Sequence, residues 1–292
     1  PTRGLVTMFD QNINALERLL IQNRLQKALQ NNEFILHYQP QIALATGRII
    51  GAEALVRWKN PDLGLVAPDR FIPMAEENGC IVPLGDWVLQ EACRQTKAWE
   101  AEGLGRIPVA VNISTLQLHR GDFVARVQSI LEETGQDPKL LELEFTESLL
   151  IQDVDRVLEQ VQRLKALGIS IAIDDFGTGY SSLSYLKRLD VDRLKIDRSF
   201  IRDISTDPND AAIVRAIIQM ARSLRLYTLA EGAETLEQTE FLRAEGCDEA
   251  QGFYYSRPLT ADAFSRFCRQ AQGGVASADD FDGLVLPGGV HN

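Results

Sequence analysis

The stretch Ile169-Ser170-Ile171-Ala172-Ile173-Asp174-Asp175-Phe176-Gly177-Thr178-Gly179 decides the fold. Isoleucine at alternate positions is the pattern of a short strand, because β-branched side chains pack well on a pleated surface. Immediately upstream, Asp153 to Leu167 repeats apolar residues at helical spacing and ends on Gly168, where a helix C-cap belongs. Helix, glycine, strand and then two adjacent acids make one unit of an α/β chain, with the acids at the strand's C-terminal end.

The same unit recurs on both sides. Strands are expected at Phe34 to Gln41, Ile49 to Val56, Val109 to Ile113, Leu141 to Phe145, Ile169 to Ile173, Arg193 to Ile196, Tyr227 to Ala230 and Ala250 to Tyr254. Helical patterns fill the gaps at Asp86 to Ala101, Asp122 to Thr134, Asp153 to Leu167, Asp210 to Leu224, Thr235 to Ala244 and Ala261 to Arg269, with Gly246 at another C-cap position. Eight strands joined by crossover-length helices fit an α/β fold of the (β/α)8 TIM-like barrel type. A doubly wound open sheet is the competitor. No G-x-G-x-x-G follows the first strand and no G-x-x-x-x-G-K-[ST] occurs, which favours the barrel.

The 292 residues are 45% hydrophobic and 24% charged, the balance of a globular chain with a large core. No apolar run reaches the length of a membrane span. With 30 Lys and Arg against 41 Asp and Glu the formal charge is −11, which argues against DNA as a partner. Cys80, Cys93, Cys247 and Cys268 form no C-x-x-C pair and read as reduced, buried thiols, and His37, His119 and His291 are too scattered for a metal site. Any metal should therefore prefer oxygen ligands. Residues 1–31 read as a connecting helix, 32–271 as the barrel domain, and 272–292, with Gly273-Gly274 and Pro287-Gly288-Gly289, as a flexible tail. Pro1 in place of Met suggests a cut from a longer protein.

In such a barrel, chemistry belongs at the C-terminal ends of the strands. Those ends are unusually polar: Glu53, Asn112, Glu144, Asp174 with Asp175, Lys195 with Asp197, Glu231 and Gln251. A lone acid there is more often a solvated loop residue or a helix N-cap. Five carboxylates at one mouth are another matter, because two unit charges ~4 Å apart at an effective dielectric near ~20 repel by roughly 4 kcal/mol. They must take up protons or hold cations, and Lys195 alone cannot balance them. Carboxylate and carboxamide oxygens without His or Cys favour Mg2+ or Mn2+. Adjacent Asp174 and Asp175 suit a two-metal site, the arrangement that clamps the attacking and leaving oxygens of a phosphoryl displacement. Glu147 either anchors the loop Phe176 to Leu183 through backbone N–H groups or begins the following helix.

In order along the chain stand Tyr38-Gln39-Pro40, Glu53-Ala54-Leu55-Val56-Arg57-Trp58, Asn112-Ile113-Ser114, Glu144-Phe145-Thr146-Glu147, Asp174-Asp175-Phe176-Gly177-Thr178-Gly179, Leu194-Lys195-Ile196-Asp197, Ala230-Glu231-Gly232 and Gln251-Gly252-Phe253. Together they resemble the EAL-domain phosphodiesterases that hydrolyse cyclic di-GMP. The resemblance implies a modified barrel whose first strand runs antiparallel to its neighbours. It also implies site roles: Glu53, Asn112, Glu144, Asp174, Asp175 and Glu231 as ligands of two Mg2+ or Mn2+ ions, with Lys195, Glu231 and Glu53 catalytic. Gln39, Leu55, Arg57, Asp197, Glu234, Gln251 and Pro258 correspond to the substrate side, and Glu147 to the loop anchor. The expected product is linear pGpG. The alternative is a catalytically silent receptor module for the same dinucleotide. Further implications are a homodimer, an upstream regulatory or GGDEF module, and a cytoplasmic location within a larger protein that a membrane could anchor.

Overall fold

The computed structural model describes residues 21–151, 153–179 and 186–272. The expected helix before residue 21, positions 180–183 of the loop after Asp175, and the tail beyond 272 lie outside the described residues. Ten strands join one sheet among them: β1 (Phe34–Ala43), β2 (Ile49–Asn60), β3 (Gly64–Val66), β4 (Val109–Ile113), β5 (Leu141–Thr146), β6 (Ser170–Phe176), β7 (Arg193–Ile196), β8 (Tyr227–Glu231), β9 (Glu249–Gln251) and β10 (Leu259–Thr260). They lie in the order β10-β1-β9-β8-β7-β6-β5-β4-β2-β3, and a further pairing of β1 with β2 closes eight of them into a barrel. β1 is antiparallel to β2 and to β9, whereas β2, β4, β5, β6, β7, β8 and β9 run parallel in succession. This is a TIM-like barrel with one inverted strand, as expected.

Alternation along each strand separates two environments. Leu143, Phe145, Ile171, Ile173, Leu194 and Ile196 are fully buried and pack outward beneath the helices. Each such side chain contributes ~1.5–3 kcal/mol relative to exposure. The intervening positions, Glu142, Glu144, Ala172, Asp174, Arg193 and Lys195, face the barrel interior. Helices Ile81–Ala101, Phe123–Thr134, Val154–Ala166 and Pro208–Leu224 form much of the outer layer. The four cysteines are free and buried. Among the described residues no helix is long and apolar enough to cross a membrane.

Two boundaries differ from expectation for local reasons. The helix expected from Asp86 begins at Ile81, after a turn in which the Asn78 side chain accepts the Cys80 N–H at 2.9 Å. The last strand ends at Gln251 and does not run on to Tyr254. A Cβ on Gly252 would lie 2.1 Å from the Ala233 carbonyl oxygen, so the two backbones touch there. The chain then turns, with the Tyr254 N–H donating to the same oxygen. Residues 21–30 are helical and bury Ile21, Leu25 and Ala28 against the barrel.

Candidate active site

β5 and β6 deliver the acids at the centre of the mouth. Glu144 and Asp174 both face inward near the C-terminal ends of neighbouring parallel strands, and Glu53 enters from β2, where it stands opposite Gln39 of β1. Lys195 on β7 is wholly buried among them. Its ammonium lies 2.6 Å from Glu144 Oε2, 2.8 Å from Glu231 Oε1, 3.2 Å from Asp174 Oδ1 and 3.7 Å from Glu53 Oε1. The Asn112 side-chain amide donates to Glu53 Oε1 at 2.6 Å, and that of Gln251 makes a short hydrogen bond to Glu53 Oε2.

One ammonium facing four carboxylates leaves an excess of negative charge, which favours proton uptake by several of the acids. Burial, opposed by Lys195 but reinforced by neighbouring acids, pushes Glu231 up to about 8 and Glu144 well above the ordinary carboxylate range. Burial, then Asp174 and Asp197, push Asp175 up to about 6. Burial also acts upward on Glu53, but Lys195 and the Gln251 and Asn112 donors outweigh it and hold that carboxyl low. Burial disfavours the charged form of Lys195, yet the four surrounding acids raise its pKa well above the ordinary value.

Glu144 Oε1 and Gln251 Oε1 are buried acceptor oxygens with no hydrogen-bond partner. Oxygens of Glu53, Glu144 and Asp174 lie within 4.8 Å of one another, as do those of Asp174, Asp175 and Glu231. Acceptors without donors, in two overlapping carboxylate triplets, fit hard divalent cations. Asp175 is placed by a backbone turn in the left-handed region, φ 54°, where a residue other than glycine is strained. There its N–H donates to Asp174 Oδ1 at 2.9 Å.

Glu147 acts on the loop that follows. Its Oε2 accepts the Gly177 N–H at 2.9 Å, and a Cβ on Gly179 would lie 2.8 Å from its Oε1, so the loop approaches this carboxylate closely only because residue 179 lacks a side chain. Asp197 caps the next helix by accepting the Ser199 N–H. On the rim, the Gln39 amide donates to the Ser256 carbonyl at 3.1 Å, and Leu55 and Arg57 stand on β2 beyond Glu53. Pro258 is half-buried just before β10. Glu234 is exposed, and its backbone N–H donates to the Gln238 side chain.

Glu142, Arg193 and Glu249 are not among the residues expected from the sequence, yet they form a second charged layer inside the barrel. They stand two residues before Glu144, Lys195 and Gln251, so strand alternation was the available signal. Arg193 makes a short ion pair with Glu142, and its Nη2 donates to Glu249 Oε1 at 3.2 Å. Its Nε stands 2.8 Å from Glu249 Oε2 as an ion-pair contact without hydrogen-bond alignment.

Fold and mouth together define a TIM-like barrel protein with an acidic cluster able to hold metal at the C-terminal ends of its strands. The chain belongs to the EAL domain family, whose model matches residues 22–258. It is 47% identical over 257 residues to the cyclic di-GMP phosphodiesterase NbdA of Pseudomonas aeruginosa, covering 88% of this chain and 33% of that protein. To the cyclic di-GMP phosphodiesterase PdeR of Escherichia coli it is 40% identical over 270 residues, covering 92% of this chain and 40% of the other. The chain thus spans about a third to two fifths of the length of these curated relatives. Among solved structures, the PaMucR phosphodiesterase in complex with c-di-GMP superposes with a TM-score of 0.82 at 46% identity, covering 84% of this chain and 99% of that one.

Proposed function

We propose that this chain hydrolyses cyclic di-GMP to linear pGpG with two divalent ions, Mg2+ or Mn2+. The observation that carries the reading is the set of acids converging around Lys195, with buried oxygens of Glu144 and Gln251 lacking donors. Similarity to proteins named cyclic di-GMP phosphodiesterases, and to one solved with that dinucleotide, supports the substrate. The residues that would hold the ions are Glu53, Asn112, Glu144, Asp174, Asp175 and Glu231. The chemistry supplied by bound divalent ions is polarisation of the scissile phosphodiester and activation of a water.

The protein's own groups do the rest. Lys195, with three N–H donors, orients the attacking water, and Glu231 accepts its proton. The oxygen–phosphorus bond forms as the bond to the 3′ oxygen breaks, that oxygen takes up a proton from solvent to become the 3′ hydroxyl of pGpG, and Glu231 returns its proton to solvent. Gln251 and Asn112 hold Glu53 in place through its two carboxylate oxygens. Arg57 offers a guanidinium to a phosphate while its Nη1 donates to the Val56 carbonyl at 2.9 Å. Gln39, Leu55, Asp197, Glu234 and Pro258 complete the substrate side, and Glu147 anchors the loop after Asp175. The barrel domain comprises residues 32–271. It works as a homodimer in the cytoplasm, beneath an upstream regulatory or GGDEF module.

Incubation of the purified chain with cyclic di-GMP and Mn2+ or Mg2+, followed by chromatographic separation of nucleotides, should yield pGpG with metal and none in EDTA. Unchanged dinucleotide with either metal would refute hydrolysis and leave the receptor reading.

A further inference from the structure

We propose that Arg193 is a positioning residue for the acidic mouth, tying β5, β7 and β9 across the barrel interior so that Glu144, Lys195 and Gln251 stand at matched heights. The inference rests on the phosphodiesterase reading for its kinetic consequence, and on geometry alone for its structural one.

β7 borders neither β5 nor β9, because β6 and β8 intervene. The contacts of Arg193 with Glu142 and Glu249 therefore reach over two strands in opposite directions, through the barrel rather than along the sheet. The position in register with Arg193 on β6 is Ala172, whose short side chain leaves space for the guanidinium to pass towards Glu142. All three charged side chains are largely buried, at 16%, 7% and 10% exposure, so the network is not a solvated surface pair.

Each member precedes a mouth residue by two positions, about 6–7 Å along the same strand and on the same face. Sliding β9 against β7 would shift Gln251, which holds Glu53. Sliding β5 would shift Glu144, which meets Lys195 at 2.6 Å. Backbone hydrogen bonds set the register of neighbouring strands; a planar guanidinium held from two sides also sets that of strands which do not touch. Of the substrate-side residues, Gln39, Leu55 and Arg57 stand on β1 and β2, which Arg193 does not contact, so the effect should fall more on metal and turnover than on dinucleotide binding.

Replacing Arg193 alone would leave two buried carboxylates facing each other, so the informative variants are Glu249→Gln and Glu142→Gln. Each keeps one ion pair. Turnover with Mn2+ and cyclic di-GMP, calorimetric Mn2+ affinity without nucleotide, and thermal unfolding would be measured for both. We expect kcat and Mn2+ affinity each to fall ~10-fold or more, the usual effect of losing a group that orients metal ligands, with a smaller change in KM. Glu249→Asp, which keeps a carboxylate on β9 facing the guanidinium, should retain more of both than Glu249→Gln does. A lowered Tm with wild-type kcat and Mn2+ affinity would mark the network as merely structural and overturn the proposal. A wild-type chain that binds Mn2+ but leaves the dinucleotide intact would refute the phosphodiesterase reading instead, while the Mn2+ titrations still judge Arg193.

Discussion

The barrel interior holds two charged layers, two residues apart on the same strands and opposite in character. In the lower, one guanidinium meets two carboxylates, Glu142 and Glu249. In the upper, one ammonium meets four, Glu53, Glu144, Asp174 and Glu231, with Asp175 close by. The lower layer is nearly balanced, and its cation is a rigid fork suited to holding acids from two directions. The upper layer is overcharged, and its cation is a compact point charge. A fold can tolerate the first as architecture. The second costs stability unless protons or further cations enter, and such costs tend to collect where a protein does its chemistry.

The sharpest way to break the comparison is to remove each layer's cation or its partners and compare the consequences. Lys195→Met should lower kcat/KM by ~10²–10⁴-fold, the range for loss of a group that moves or positions a proton. It should also lower Tm in EDTA more than in Mn2+, because added cations replace the missing ammonium. Equal loss with and without metal would deny that the upper layer is short of positive charge.

The lower layer should instead write itself into stability against pH. Burial, opposed by Arg193 and reinforced by Glu142, raises Glu249 from 4.5 to about 7. A raised carboxyl binds its proton more tightly in the folded state, so its contribution is complete below pH 4.5 and is lost as pH rises to about 7. In EDTA, the unfolding free energy of the wild type relative to Glu249→Gln should therefore decline by ~3 kcal/mol across that window. A flat difference would place Glu249 in a far wetter environment. The smallest effect belongs to the loop beside the mouth: Gly179→Ala would crowd Glu147 and weaken its bond to Gly177, a cost of ~1.5 kcal/mol that should appear as about a tenfold loss of Mn2+ affinity.

Much of this was legible in the sequence because it is local. β-branched runs, glycine C-caps and acids at strand ends announce a barrel and its mouth without reference to distant contacts. The pair Asp174 and Asp175, Lys195 and the Glu53 motif could be found in this way, and the structure brings them together. The inverted β1 could not, since alternation reads the same in either direction; it came from the resemblance. Nor could the early end of the last strand, which depends on Gly252 meeting the backbone of Ala233, nor the close seat of Gly179 on Glu147. Arg193 was readable but easily passed over: in Arg193-Leu194-Lys195 the two cations share one face, and only their different partners separate foundation from mouth.

The upper layer should hold divalent cations and the lower should not. Anomalous scattering from crystals grown with Mn2+ tests this most directly. The account predicts two peaks, one within the Glu53, Glu144 and Asp174 group and one within Asp174, Asp175 and Glu231, and no peak beside Glu142 or Glu249. An empty upper layer in crystals of a preparation that cleaves cyclic di-GMP, or a Mn2+ peak at Arg193's acids, would contradict it.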